Sequence, residues 1–240
     1  MTSDTSRERV KRRFAVSGAE YDSTRFGHPR GELLSEADAK LFLRMLPAPN
    51  ASMRVLEVGA GTGRFTTLAL EHGFTLTATD VNRTLLETLG EKIRRMGAED
   101  RCRVRLEDLF QLTSPDGKYD LVYSINVIPR LESLDDQRAA IREIARTLRP
   151  GGHFLFNYRN SRSPYRIRFK GHTTSPEEID SALVAGDLRI VDMRGRLLSS
   201  AKLFRRLPMF VNRLIVGLDL ALSRYMTYRA WDVFILAQKD

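Results

Sequence analysis

The sequence predicts an α/β fold: a seven-stranded, mostly parallel sheet with helices on both faces, N-terminal helices ahead of it and a helical insertion before the last strand. Three observations carry this. Apolar runs of strand length alternate with segments of helical i, i+3, i+4 periodicity, the pattern of strands joined by crossover helices. One strand, Val55-Leu56-Glu57-Val58, runs straight into a glycine cluster at Gly59, Gly61 and Gly63. The length of 240 residues, 42% hydrophobic and 29% charged, suits one elaborated α/β domain.

The elements follow in order. Residues 1–13 read as a frayed basic start with no apolar core, so no secretory signal is expected. Gly31 to Leu46 has a helical apolar face at Leu34, Ala37, Leu41 and Met45, broken by Pro47 and Pro49. After the first strand, Arg64 to Glu71 is expected as a helix closed by Gly73. Thr75 to Asp80 is a second strand. Leu85, Leu86, Leu89 and Ile93 mark the next helix, and Gly97 follows it. Arg103 to Glu107 and Asp120 to Ile125 are the third and fourth strands. Ser133 caps a helix with Ile141, Ile144, Ala145 and Leu148 on one face, ended by Pro150-Gly151-Gly152. Phe154 to Tyr158 is the fifth strand. Ser175-Pro176-Glu177-Glu178 is a capping box with proline at the first helical position. Leu188 to Met193 and Val233 to Ala237 are the last two strands.

The single domain therefore divides into N-terminal cap helices over 1–50, a ligand-binding core over 51–196, an insertion over 197–228 and a last strand over 229–240. Within the insertion, Met209 to Tyr225 is helical. Phe210, Val211, Leu214, Ile215, Leu218 and Leu222 are its apolar positions, and Asn212, Arg213, Ser223 and Arg224 form a narrow polar stripe. A lid, a dimer contact, a membrane-surface helix over 205–225 and simple packing on its own domain all fit.

Charge and cysteine content bound the function. The formal net charge is +9, and 32 of the 39 basic residues are Arg. Arg grips phosphate and carboxylate in a fixed fork, which favours an anionic substrate or surface; plain solubility explains the charge equally well. The one cysteine, Cys102, allows no internal disulfide and no thiolate metal cluster, so no metal is expected. No run reaches the length of a membrane span, and a cytoplasmic protein is the expectation. The loop from Tyr158 to His172, with Arg159, Arg162, Arg166, Arg168 and Lys170 among Tyr158, Tyr165 and Phe169, reads as an anion clamp or a solvated basic loop.

The glycine loop carries the chemistry. Glycines let the backbone turn tightly and let a ligand approach where a Cβ would clash. The dinucleotide fingerprint needs a third glycine at position 64, which is Arg, so NAD and FAD are disfavoured. Acids then recur at strand ends: Asp80, placed to accept ribose hydroxyls, and Glu107-Asp108, placed to accept an amino group.

With these motifs in place, the chain resembles the class I, Rossmann-like S-adenosylmethionine-dependent methyltransferases over roughly Met53 to Asn157. The matching segments are Glu57 to Gly63, Thr79-Asp80, Asp108-Leu109, and Leu148 to Gly152 after the Asp120 strand. The opening Arg13-Phe14 to Arg25 looks like that of quinone-biosynthesis C-methyltransferases and malonyl-carrier-protein O-methyltransferases, although Ala15 stands where an acid often follows the Phe. The resemblance implies S-adenosylmethionine as cofactor, a small-molecule acceptor, and an antiparallel last strand from Trp231 to Ala237. It implies a cofactor site built from Tyr21, Arg25, Glu57, Gly59, Ala60, Gly61, Gly63, Asp80, Val81, Asp108, Leu109 and Asn126. Asn126 would act through its backbone.

A base for an oxygen acceptor would come from His28, Tyr158 or His172; His153 begins its strand at the wrong end. Two other readings stay open: a basic nucleic-acid-binding protein or RNA methyltransferase, and a non-catalytic interaction module on the same fold. The fourth strand lacks the Asn/Asp-Pro-Pro-aromatic signature, and no proline precedes Cys102 as in a cytosine-C5 nucleophile. Both absences count against nucleic acid. The intact loop with Asp80 and Asp108 counts against a lapsed site.

Overall fold

The computed structural model describes residues 29–164, 171–196, 207–225 and 227–240. Its elements are α1 (Pro29–Met45), β1 (Val55–Val58), α2 (Arg64–Glu71), β2 (Leu76–Asp80), α3 (Arg83–Arg95), β3 (Cys102–Leu106), β4 (Tyr119–Ser124), α4 (Leu134–Thr147), β5 (Leu148–Arg159), α5 (Pro176–Val184), β6 (Leu188–Arg196), α6 (Met209–Leu222) and β7 (Asp232–Lys239). One sheet holds all seven strands in the order β3-β2-β1-β4-β5-β7-β6. The first five run parallel, and β7 inserts antiparallel between β5 and β6.

Local chemistry fixes the helix ends. Asn82 caps α3, its Oδ1 accepting from the N–H groups of Thr84 and Leu85 at 2.9 and 3.3 Å. Ser133 caps α4 through Asp136 N–H at 3.0 Å. Ser175 and Glu178 form the reciprocal capping box that starts α5. Gly73 and Gly97 take left-handed φ just past α2 and α3, where a side chain would strain the backbone.

Two apolar layers sandwich the sheet. Leu33, Leu41 and Phe42 of α1 join Phe65 and Leu70 of α2, Leu89 and Ile93 of α3, and Val216 and Leu220 of α6 on one face. Ile141 and Ile144 of α4 join Ile179 and Leu183 of α5 over Phe154, Phe156 and Tyr158 on the other. Cys102, the only thiol, is buried at the start of β3 on the first face.

Two expectations need correction. Pro150-Gly151-Gly152 does not end α4. The helix stops at Thr147, Leu148 is already extended, and the three residues form a bulge within β5, where the register against β4 shifts between Tyr119↔Leu148 and Leu121↔His153. A Cβ on Gly152 would lie 2.9 Å from the Arg149 carbonyl oxygen and 3.0 Å from that of Tyr119, so this bulge needs glycine. Arg159, expected in the loop after the fifth strand, lies instead in β5, and like Tyr158 it is buried.

Candidate active site at the sheet switch point

The strand order reverses between β1 and β4, and in open parallel sheets a crevice forms there beyond the strands' carboxyl ends. The glycine loop leaves β1 at this point, and Asn126 lies just past β4.

Main-chain bonds shape the loop. The N–H groups of Gly59 and Ala60 both donate to the Thr79 carbonyl, at 2.8 and 2.9 Å, and Gly63 N–H donates to the Ala60 carbonyl at 2.9 Å. Gly59, Gly61 and Gly63 have φ of 78, 56 and 87°. Their surroundings differ. A Cβ on Gly59 would fall 2.2 Å from a Val127 methyl, and one on Gly63 would fall 2.3 Å from a Leu89 methyl; at Gly61 nothing lies within 4 Å. Packing against the protein therefore requires Gly59 and Gly63. Gly61 leaves open left-handed backbone at the loop's outer turn.

The acids divide in the same way. Asp80 accepts from Gly61 N–H at 2.8 Å and from Asn82 N–H at 2.9 Å. Burial pushes its carboxyl above the usual range, against the pull of these N–H donors. The Val81 N–H also acts on it; an ionised carboxylate has about four lone-pair sites, so it keeps capacity for a ribose hydroxyl. Glu57 lies buried on the α2 side, accepting from Tyr123 Oη–H at 3.1 Å and from the Thr66 hydroxyl. Burial drives its carboxyl up to about 7; these two hydrogen bonds oppose that shift and the charge of Asp80 adds to it. Asp108 is half-buried and accepts from Phe110 N–H at 3.0 Å. Its neighbour Glu107 is buried and accepts from the Thr113 hydroxyl at 2.7 Å. Ala60 and Leu109 are buried, and Val81 is exposed.

Asn126 is a non-glycine residue at φ 63°, a conformation that needs outside support. Its N–H donates to Asn157 Oδ1 at 2.6 Å, its Oδ1 accepts from Arg159 Nη2 at 2.9 Å, and its carbonyl accepts from Arg130 Nε at 3.1 Å. Behind it runs a buried network that sequence reasoning missed. Asp232, at the start of β7, accepts from Asn157 Nδ2 at 2.8 Å, from Arg159 Nη1, and from Arg196 Nη2 at 2.9 Å. Arg196 Nη2 also lies 3.1 Å from Asp38 on α1. Arg196 Nε and Nη1 are buried without a hydrogen-bond partner among the described residues. The available signal was strand parity: Asn157 and Arg159 alternate with Phe156 and Tyr158, so they fall on the opposite face.

The nominated bases fare differently. Tyr158 packs among the apolar residues under α4 and α5, and burial pushes its phenol well above its ordinary value, which corrects its candidacy as a base. His172 is anchored by its N–H to the Leu131 carbonyl at 3.1 Å and is coupled electrostatically to Glu178 at the start of α5. His153 faces β7 at Gln238, far along β5 from Arg159, and burial lowers its imidazole. Tyr21, Arg25 and His28 lie outside the described residues, as do Tyr165 to Lys170 of the basic loop. Arg162 at that loop's start is exposed and paired with Glu177 at 2.6 Å. A surface cleft lined by Met53, Arg54, Thr77, Arg101 and Lys118 opens at the strands' amino ends and so belongs to the other pole of the sheet. No group of three or more metal-ligating side chains occurs among the described residues.

Comparison with known proteins identifies the family. The methyltransferase-domain family model matches residues 28–214. The methyltransferase GfsG of Streptomyces halstedii is 35% identical over 104 residues, 43% of this chain and 36% of that protein. The ubiquinone/menaquinone biosynthesis C-methyltransferase UbiE of Shewanella woodyi is 31% identical over 107 residues, 43% of this chain and 41% of that protein. The matched segment thus spans well under half the length of these curated relatives. Among solved structures, geranyl diphosphate C-methyltransferase from Streptomyces coelicolor, in complex with Mg2+, geranyl diphosphate and S-adenosyl-L-homocysteine, superposes with a TM-score of 0.66 over 98% of both chains at 12% identity. The fold, the loop and the match across most of the sequence lead to one family: this chain is a methyltransferase domain of the S-adenosylmethionine-dependent class.

Proposed function

We propose that the protein transfers a methyl group from S-adenosylmethionine to a small-molecule acceptor that presents an anionic or lipid-like group. The observation that carries this is the pairing of two unlike halves across the switch point. On one side stand the open Gly61 backbone, Asp80 and Asp108; on the other stands the buried Asn126–Asp232–Arg196 network.

The bound cofactor supplies an electrophilic methyl whose leaving group departs neutral, so the reaction demands no strong acid. Gly61, Asp80 and the Asp108-Leu109 segment hold and orient the nucleoside. The family resemblance assigns Tyr21 and Arg25 to the methionine end of the cofactor, and both lie outside the described residues. The protein's main contribution is positioning, which for ideal alignment is worth up to ~7–11 kcal/mol. Arg196 keeps two buried nitrogens, Nε and Nη1, without an acceptor among the described residues, which supports an acceptor that brings an anionic oxygen to this end. The carboxylates Asp38 and Asp232 are both held by arginines. An acceptor whose attacking atom is itself acidic, such as an enol or phenol, therefore matches the site best. His172 and His28 are the bases to test by substitution with Gln.

Calorimetric titration with S-adenosylmethionine and S-adenosylhomocysteine tests the cofactor half. Wild type should bind in the micromolar range, and Asp80→Ala should lose at least about tenfold, or ~1.4 kcal/mol. No binding by a folded wild type would overturn the proposal. A screen of enolic and phenolic acceptors then tests the other half; turnover unaffected by Arg196→Lys would remove the anionic contact.

A further inference from the structure

A helix on a protein surface normally turns its apolar side inward and its polar side to water. α6 departs from this along one edge. Asn212, Asp219 and Ser223 are buried, alongside Val216 and Leu220. Phe210, Leu214, Leu218 and Leu222, four residues apart along one edge, are 67, 64, 63 and 45% exposed. Val216 and Leu220 seat the helix in the same core cluster as α1, and Arg44 of α1 donates to the Leu220 carbonyl at 3.2 Å. Rotating the ridge inward would therefore expose Asp219, whose charge acts on Arg196.

The rest of this surface is basic and aromatic. Arg213, Arg224, Tyr225, Tyr228 and Arg229 are exposed, and no exposed acid occurs among the described residues from 207 to 229. An uncovered apolar ridge of this kind marks an interaction surface. Its chemistry selects the partner. Two copies of this face would oppose arginine to arginine, in a chain of net charge +9. A neutral surface would leave the arginines unmatched. We propose that α6 docks the protein on an anionic lipid bilayer, lying in the plane of the interface. The four apolar side chains reach the acyl boundary, Arg213, Arg224 and Arg229 meet lipid phosphates, and the tyrosines sit at headgroup depth. At 14 residues the helix is about 21 Å long, too short to cross and long enough to lie flat. The docking surface stands independently of the acceptor's identity.

Flotation of the full chain with vesicles decides it. Wild type should float with phosphatidylcholine–phosphatidylglycerol vesicles, far less with phosphatidylcholine alone, and come off as salt rises. Leu214→Glu with Leu218→Glu should cut partitioning by about tenfold or more while circular dichroism and cofactor binding stay intact. Arg213→Glu with Arg224→Glu should remove the preference for anionic lipid. Failure of wild type to float, or equal flotation of the leucine variant, would overturn the proposal. So would a wild-type dimer by light scattering that the leucine variant dissociates while neither floats, because the ridge would then serve a second copy.

Discussion

At the β1–β2 end of the crevice the main chain does most of the polar work, whereas at the β5–β7 end side chains do. Around the glycine loop, Asp80 is held by the N–H groups of Gly61 and Asn82, and the loop itself by the Thr79 and Ala60 carbonyls. Around Asp232, one carboxylate gathers Asn157, Arg159 and Arg196, and Arg196 reaches on to Asp38. The first arrangement depends on backbone angles and tolerates few residue types at few positions. The second depends on buried charges and tolerates the loss of none. The two ends should therefore fail differently.

The sharpest separation is expected at Asp232. Asp232→Ala leaves Arg159 and Arg196 buried without their shared partner, and removing one side of a buried ion pair typically costs about 3–5 kcal/mol. Urea unfolding should show a loss of that size; a loss below about 1 kcal/mol would mean that water reaches the arginines.

Glu57 should give the loop end a pH signature. Its carboxyl titrates near 7 in the fold against an ordinary value of 4.5. The folded state then holds the proton more tightly, so this contribution is fully present below about pH 4.5 and is lost as pH rises through about 7. The difference is on the order of 3 kcal/mol. Unfolding free energy measured from pH 4.5 to 8 should fall along this window, and Glu57→Gln should flatten the slope.

Within the loop, Gly59→Ala and Gly63→Ala should each cost roughly 2–3 kcal/mol, combining left-handed strain with overlap on Val127 or Leu89. Gly61→Ala should cost only about 1–2 kcal/mol yet weaken S-adenosylmethionine binding most, as read by calorimetry. Equal binding losses at all three would erase the distinction between packing and ligand glycines. Far from both ends, Ser175→Ala should cost about 1 kcal/mol of thermal stability through its cap.

The contrast also explains what could be read in advance. The glycine loop, Asp80 and Asp108 are local signals: each sits at a strand's end and its role follows from neighbours a few residues away. Caps at Ser133 and Ser175 are local too. The Asp232 network is not. Its members come from α1, β5, β6 and β7, and in sequence Asp38, Arg196 and Asp232 each look like an ordinary solvated charge. Only the alternation through Asn157 and Arg159 points to a polar face, and the basic residues after Tyr158 make Arg159 look like the start of a loop. The narrow polar stripe of α6 was legible, but its direction was not: Asn212 and Ser223 point in while Arg213 and Arg224 point out. Direction depends on Arg196 and Arg44, which lie in other elements.

Cys102 has a practical corollary. Its thiol is buried at the start of β3, and burial, with the nearby charge of Glu57, drives it up to about 12. At neutral pH almost none of it is thiolate, the form that reacts. Maleimide chemistry on the native chain should therefore be slow, and Leu218→Cys would supply the fast site. A single spin label or fluorophore can thus be set on the outer edge of α6 without first deleting the natural thiol, giving a depth gauge for that edge.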